Sequence, residues 1–285
     1  MAEPKKQNYL HGAAILAAGV VIMKILGAIY KIPLGNILGD EGYTHFLVAY
    51  NIYSVFLTVA TAGLPVALSR MISEANTMNR PAQVRRTFSV AWLTFCVLGI
   101  ICTLIMFLFP TELADALNDV EATQSIYALS PAVLLVCLTS AYRGYCQGHE
   151  NMTPTTIGQV LEVLIKVIVG LVLAWYLKDV GKSLPMVSAG AIFGVTAGSL
   201  AALIYMFAYK RRCYSALPEG GDTPESSGRI FKTLLKVGIP ITLGSSVLSL
   251  MAELPFSSSY SPTLVSMVSP RKRSSFAITV SMWSD

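Results

Sequence analysis

Long apolar runs dominate the pattern of this chain. Residues 88–109 and 183–209 carry no acidic or basic side chain, and 44–69 carries only His45. The stretch 126–147 is interrupted by Arg143 alone, 151–177 by Glu162 and Lys166, and 9–34 by His11, Lys24 and Lys31. A helix rises 1.5 Å per residue and a bilayer core is about 30 Å thick, so about 20 apolar residues cross it. Each run is long enough. The pattern predicts an all-α, polytopic membrane helix bundle with six spans, followed by a partial seventh at 233–252. Lys24 breaks the first run where a cleavable signal peptide needs an unbroken apolar core, so the first helix is read as retained.

Composition agrees, with 54% hydrophobic and 13% charged residues and a mean hydropathy of +0.59, far from the balance of a soluble domain. Charge then gives an orientation. With the N-terminus inside, residues 1–9, 70–86, 143–150 and 210–232 are cytoplasmic and hold 12 Lys or Arg, against two in the outer loops 110–125 and 178–184. Cytoplasmic loops are the basic ones. The expectation is a multi-pass plasma-membrane protein with a cytoplasmic N-terminus. The net charge of +5 is spread among loops, so it suits membrane lipid headgroups and not a nucleic acid.

Enzyme chemistry finds no foothold. The chain has no GxSxG, no GxxxxGK[ST] and no adjacent aspartate pair, so neither a nucleophile elbow nor a phosphate loop is predicted. Cys96, Cys102, Cys137, Cys146 and Cys213 form no CxxC pair and read as packing residues. His11, His45 and His149 stand apart with no HExxH or Cys/His ligand spacing, so no metal site and no cofactor are expected.

Polar groups inside the spans are the informative exceptions. A Lys at the centre of a membrane helix costs about 2.5–3.5 kcal/mol on insertion scales, so it faces a wet cavity or a partner. Lys24 is the clearest case, and Lys31 is near enough to a helix end to snorkel. Gln159, Glu162 and Lys166 fall at i, i+3 and i+7 on one helix face. Two readings stay open for them: an i, i+4 pair in which Glu162 and Lys166 neutralise each other, or the polar wall of a central cavity. With Arg143, Lys24 and Lys31 that wall would suit a pyrophosphate. Gly190, Gly194 and Gly198 recur every four residues, a groove for close helix packing.

Three segments carry a family resemblance. KILGAIYKIPL at 24–34 with LGDEG at 38–42, RGYCQG at 143–148 with NMTPT at 151–155 and Gln159, and KVGIPI at 236–241 resemble the stage V sporulation protein B group. That group is related to the MurJ-like lipid II flippases of the multidrug/oligosaccharidyl-lipid/polysaccharide (MOP, MATE-like) exporter superfamily. The resemblance spans about residues 8–252. It implies a MATE/MurJ-like N-terminal lobe of six helices plus a partial seventh. The implied activity is alternating-access export of an undecaprenyl-pyrophosphate-linked saccharide for peptidoglycan or polysaccharide biosynthesis. The implied partners are that anionic lipid-linked substrate, membrane lipids and a coupling cation. Lys24 and Lys31 stand about where MurJ proteins place arginines on the first helix, while 50–65 has no Arg or Lys. Substrate binding is therefore assigned to Lys24, Lys31, Arg143, Gln159, Glu162 and Lys166.

The expected organisation is a six-helix lobe at 1–209, a cytoplasmic linker at 210–232, the partial seventh helix at 233–252 and a Ser-rich tail at 253–285. The tail has ten Ser and three Pro and is expected to stem from truncation or frameshift. Two other functions remain open: a drug/cation antiporter of the same superfamily, which needs cavity carboxylates, and a non-transporting scaffold for cell-wall or spore-envelope assembly.

Overall fold

The computed structural model describes residues 9–61, 63–213 and 221–258 of the 285-residue chain. Its helices are α1 (Tyr9–Thr61), α2 (Leu64–Thr77), α3 (Pro81–Leu108), α4 (Pro110–Asp115), α5 (Thr123–Gly148), α6 (Thr153–Asp179), α7 (Leu184–Cys213) and α8 (Ser227–Ser258). A 3-10 turn, Val120–Ala122, links α4 to α5. No strand occurs among the described residues. The chain divides into units 1–242 and 243–285, and the bundle belongs to the first. Among the described residues, five helices are long and apolar enough to cross a membrane, at Ala14–Thr58, Pro81–Leu108, Val120–Gly148, Thr153–Asp179 and Leu184–Cys213.

The first of these is a hairpin. A straight 53-residue helix would be about 80 Å long, far more than a bilayer core. Tyr30 and Phe46 would lie about 24 Å apart along it, yet their ring centroids are 6.2 Å apart. The chain reverses at Gly39, whose φ of 66° and ψ of −175° suit only a residue without Cβ. Lys178 of α6 donates to the carbonyls of Asn36 and Ile37 just before the reversal, satisfying acceptors that a helix end exposes. The predicted spans 9–34 and 44–69 are therefore two arms of one hairpin joined by a single non-helical residue, without a loop. Within the second predicted span α1 ends at Thr61 and α2 begins at Leu64. The C-terminal end of that span belongs to α2, so much of the expected 70–86 loop is helical.

Short turns follow α2, α5 and α6. Asn79, Glu150 and Gly181 take positive φ between α2 and α3, α5 and α6, and α6 and α7. Pro81 and Pro154 fall in the first turns of α3 and α6, where a missing N–H removes no hydrogen bond. Helix α7 reaches Cys213 and α8 starts at Ser227, both inside the expected 210–232 linker. Residues 259–285, most of the Ser-rich tail, lie outside the described residues.

Burial follows the logic of a lipid solvent. Ile25, Ile29 and Ile32 on α1, Leu93, Ile100 and Leu104 on α3, and Ile168, Val172 and Trp175 on α6 are exposed, as side chains facing acyl chains should be. The interior of α3, α5 and α7 holds Phe95, Met106, Ile126, Leu129, Tyr145 and Ile192. Because apolar burial drives little association within a bilayer, close backbone approach and polar links hold the helices together. Ser125 Oγ donates to Ser188 Oγ at 3.1 Å and Thr196 Oγ1 to the Ala128 carbonyl at 2.7 Å, both joining α5 to α7.

Candidate functional site: a basic cluster between α1, α5, α6 and α7

The glycines of α7 bring its backbone onto α6 beside the predicted polar face. A Cβ added at Gly194 would stand 2.6 Å from the Lys166 carbonyl oxygen and 2.7 Å from Gly170 Cα. One added at Gly198 would strike the Glu162 carbonyl, and at Gly190 it would strike the Leu177 side chain. The glycine stripe thus fixes the segment of α6 that carries Glu162 and Lys166.

Glu162 uses both carboxylate oxygens across helices. Oε2 accepts from Arg143 Nη2 of α5 at 2.6 Å, and Oε1 accepts from Ser199 Oγ of α7 at 3.3 Å. Both charged side chains are largely buried, at 15% and 20% exposure, and Arg143 Nε has no hydrogen-bond partner among the described residues. Of the two readings left open for this face, the ion pair within α6 does not form among the described residues, and Glu162 pairs with Arg143 of α5 instead. The i, i+4 spacing keeps Lys166 an electrostatic neighbour of Glu162, but the carboxylate points at the guanidinium, which offers a planar fork of donors.

Lys166 instead lies among aromatics of the hairpin. Its Nζ is 5.7 Å from the Tyr30 ring centroid and 5.8 Å from that of Tyr50, within the reach of cation–π attraction. The two rings come from opposite arms of α1, so Lys166 sits where the arms face α6. Tyr30 is held in place by donating its hydroxyl to the Ala191 carbonyl at 3.1 Å. Lys31, half-buried, is also an electrostatic neighbour of Lys166, and buried Tyr53 lies within electrostatic range of Glu162 and Arg143.

Of the six predicted residues, Arg143, Glu162, Lys166 and Lys31 therefore come together. Gln159 is half-buried one turn earlier on α6 and has no bonded partner among the described residues. Lys24 is exposed on α1, without an ion pair among them. Sequence reasoning missed Tyr30, Tyr50, Tyr53 and Ser199, which carry no charge. Ser199 adjoins Gly198 on the stripe, and that adjacency was the available signal.

Residues 9–255 match the family described as polysaccharide biosynthesis protein. The chain belongs to that family. It is 29% identical to stage V sporulation protein B of Bacillus subtilis (strain 168), over 71% of this chain and 39% of that protein. It is 28% identical to the lipid II flippase MurJ of the same organism, over 76% of this chain and 43% of that protein. The chain thus spans about two fifths of the length of these relatives. Its fold is that of a MOP superfamily transporter from Pyrococcus furiosus, with a TM-score of 0.65 at 18% identity, over 90% of this chain and 57% of the other. Apolar helices and family together make this a multi-pass membrane protein.

Proposed function

We propose that this chain is the N-terminal lobe of a flippase that moves undecaprenyl-pyrophosphate-linked saccharides across the plasma membrane by alternating access, with its N-terminus in the cytoplasm. The observation that carries this reading is the Arg143–Glu162 pair. It neutralises the one carboxylate that the cluster holds among the described residues and leaves Lys31 and Lys166 as a cationic surplus on the wall shared by α1 and α6. A pyrophosphate is the anion such a wall would attract, since cations act strongly in a site of low dielectric. Kinship with the flippase of Bacillus subtilis supports the substrate class. The antiporter reading has less support, because it needs a carboxylate ready for a cation or proton and Glu162 is engaged by Arg143 and Ser199.

The decisive experiment joins this lobe to the second lobe of a relative, reconstitutes the protein and follows flipping of a labelled undecaprenyl-pyrophosphate saccharide. Lys166→Ala should abolish flipping without loss of folded protein, and Lys166→Arg should keep part of it because the charge survives. Normal flipping by a Lys31→Ala/Lys166→Ala double variant would remove the cationic wall from the mechanism.

A further inference from the structure

A second polar cluster lies at the Gly39 end of the α1 hairpin and plays no part in the reading above. Just past the reversal, Glu41 and His45 occupy i, i+4 positions on one face of the second arm. The connection between α4 and α5 brings Asp119 and Glu121 against them. His45 is only 7% exposed, while Glu41 and Glu121 open to the surface.

The imidazole is oriented by one carboxylate and lies beside two others. Asp119 lies at 2.7 and 2.8 Å from His45 Nδ1 through its two oxygens. A carboxylate only accepts, so Nδ1 carries the hydrogen and donates it, and Nε2 presents a lone pair. Nε2 is buried and makes no hydrogen bond among the described residues, although Glu121 Oε2 is 3.3 Å away. An N–H on Nε2 would not lie along that line, so the two groups are close without the alignment of a hydrogen bond. One ligand atom each from Glu41, His45 and Glu121 falls within 4.8 Å of the others. Two ligands held about 2.0–2.2 Å from one tetrahedral Zn²⁺ stand about 3.3–3.5 Å apart, which is the spacing of Nε2 and Oε2.

We propose that Glu41, His45 and Glu121 form a binding site for a divalent transition metal of the Zn²⁺ type, with Asp119 as the positioning carboxylate behind the histidine. One imidazole nitrogen and two carboxylates suit Zn²⁺ or Co²⁺ better than Ca²⁺ or Mg²⁺, which take oxygen ligands. A carboxylate on the far nitrogen is the usual support of a metal-binding histidine. Two exposed carboxylates give the ion an entry path, and three protein ligands leave a position for water. Bound there, the ion would clamp the turn of the α1 hairpin to the α4–α5 connection. The site is independent of the transport reading.

Co²⁺ is the direct probe, because its visible absorption reports low-coordinate ligation. The purified 285-residue protein in detergent should take up one Co²⁺ per chain with such bands, and Zn²⁺ should displace it. His45→Ala should abolish the signal, Glu121→Gln and Glu41→Gln should each weaken it by tenfold or more, and Asp119→Asn by about 10–100-fold. Glu112→Gln/Asp115→Asn, which removes nearby acidic groups outside the cluster, should bind as the parent does. Should His45→Ala fail to fold, the two exposed glutamate variants decide. Absence of stoichiometric Co²⁺, or equal binding by Glu121→Gln and Glu41→Gln, would reduce the cluster to an ion pair of His45 with its carboxylates and overturn the proposal.

Discussion

The two polar clusters have opposite designs. Near the C-terminal end of α5 and the middle of α6, bases outnumber the one carboxylate found there among the described residues, and that carboxylate is locked between Arg143 and Ser199. At the Gly39 end of the hairpin, Glu41, Asp119 and Glu121 surround a single imidazole, and two of the three open to the surface. The first is largely buried and braced by three helices, so its charges must answer one another; the second is exposed at its rim, so its carboxylates can be solvated whether or not anything binds. The sign of the surplus tells which ligand each could hold, and the degree of burial tells how much the fold depends on it.

Removing one carboxylate from each cluster tests that contrast most strongly. Glu162→Ala strands Arg143 in a largely buried place, and loss of one partner from a buried pair costs about 3–5 kcal/mol. Glu121→Ala removes a side chain that is 62% exposed, where an ion pair contributes about 0–1 kcal/mol. Thermal unfolding in detergent, without added metal, should show a large loss for the first and little for the second. Similar losses would erase the distinction. Replacing Arg143 and Glu162 together by Met should recover most of the stability, since neither charge is then left alone.

A smaller effect should come from the packing that positions the basic cluster. Gly194→Ala pushes a methyl into the Lys166 carbonyl and Gly170, and overpacking costs about 1–3 kcal/mol. Gly27, where an added Cβ meets nothing within 4 Å, is the control on another helix. Equal unfolding midpoints for Gly194→Ala and Gly27→Ala would show that the close approach of α7 to α6 does not brace the site.

Much of the bundle was legible in the sequence because a span is a local property: twenty residues without charge, read one by one, predict a helix crossing. The reversal at Gly39 was less visible, since the residues around it form helix on both sides and the expected loop shrinks to one glycine. Arg143 and Glu162 were both singled out by their place inside apolar runs, but their pairing was not, because spacing describes one helix and this contact joins two. The i, i+4 relation favoured Lys166 as partner; the packing of α5 on α7 and α6 favoured Arg143. His45 was set aside for want of a motif, although Glu41 stood four residues before it. Glu121 and Asp119 reach it only through the fold, so no ligand spacing along the chain could show the cluster.

The mildest test uses a carboxylate that belongs to neither cluster and lies outside the spans. Asp222 accepts from the backbone N–H groups of Ala82 and Gln83 at 2.9 and 3.0 Å, two of the donors that the start of α3 leaves without an intrahelical partner. Slight desolvation pushes its carboxyl up, but these hydrogen bonds and the Arg80 charge outweigh it and hold the group below its ordinary value of 3.8. A depressed carboxyl contributes stability that is present above the unfolded-state value and lost as pH falls through the folded-state value. The contact should therefore persist at neutral and mildly acidic pH and weaken only below about 3.8. Asp222→Asn keeps an acceptor and loses the charge, so it should remove that acid step while leaving the helix in place. Amide exchange at Ala82 and Gln83, compared at one pH between the two proteins, should show lower protection in the variant at neutral pH and equal protection once the parent is acidified. Such a local loss, with the global unfolding midpoint unchanged, would mark Asp222 as a solvated tether, on the same side of the contrast as Glu121. A shift of the global midpoint as large as that of Glu162→Ala would instead show that exposure is a poor guide to which carboxylates this fold relies upon.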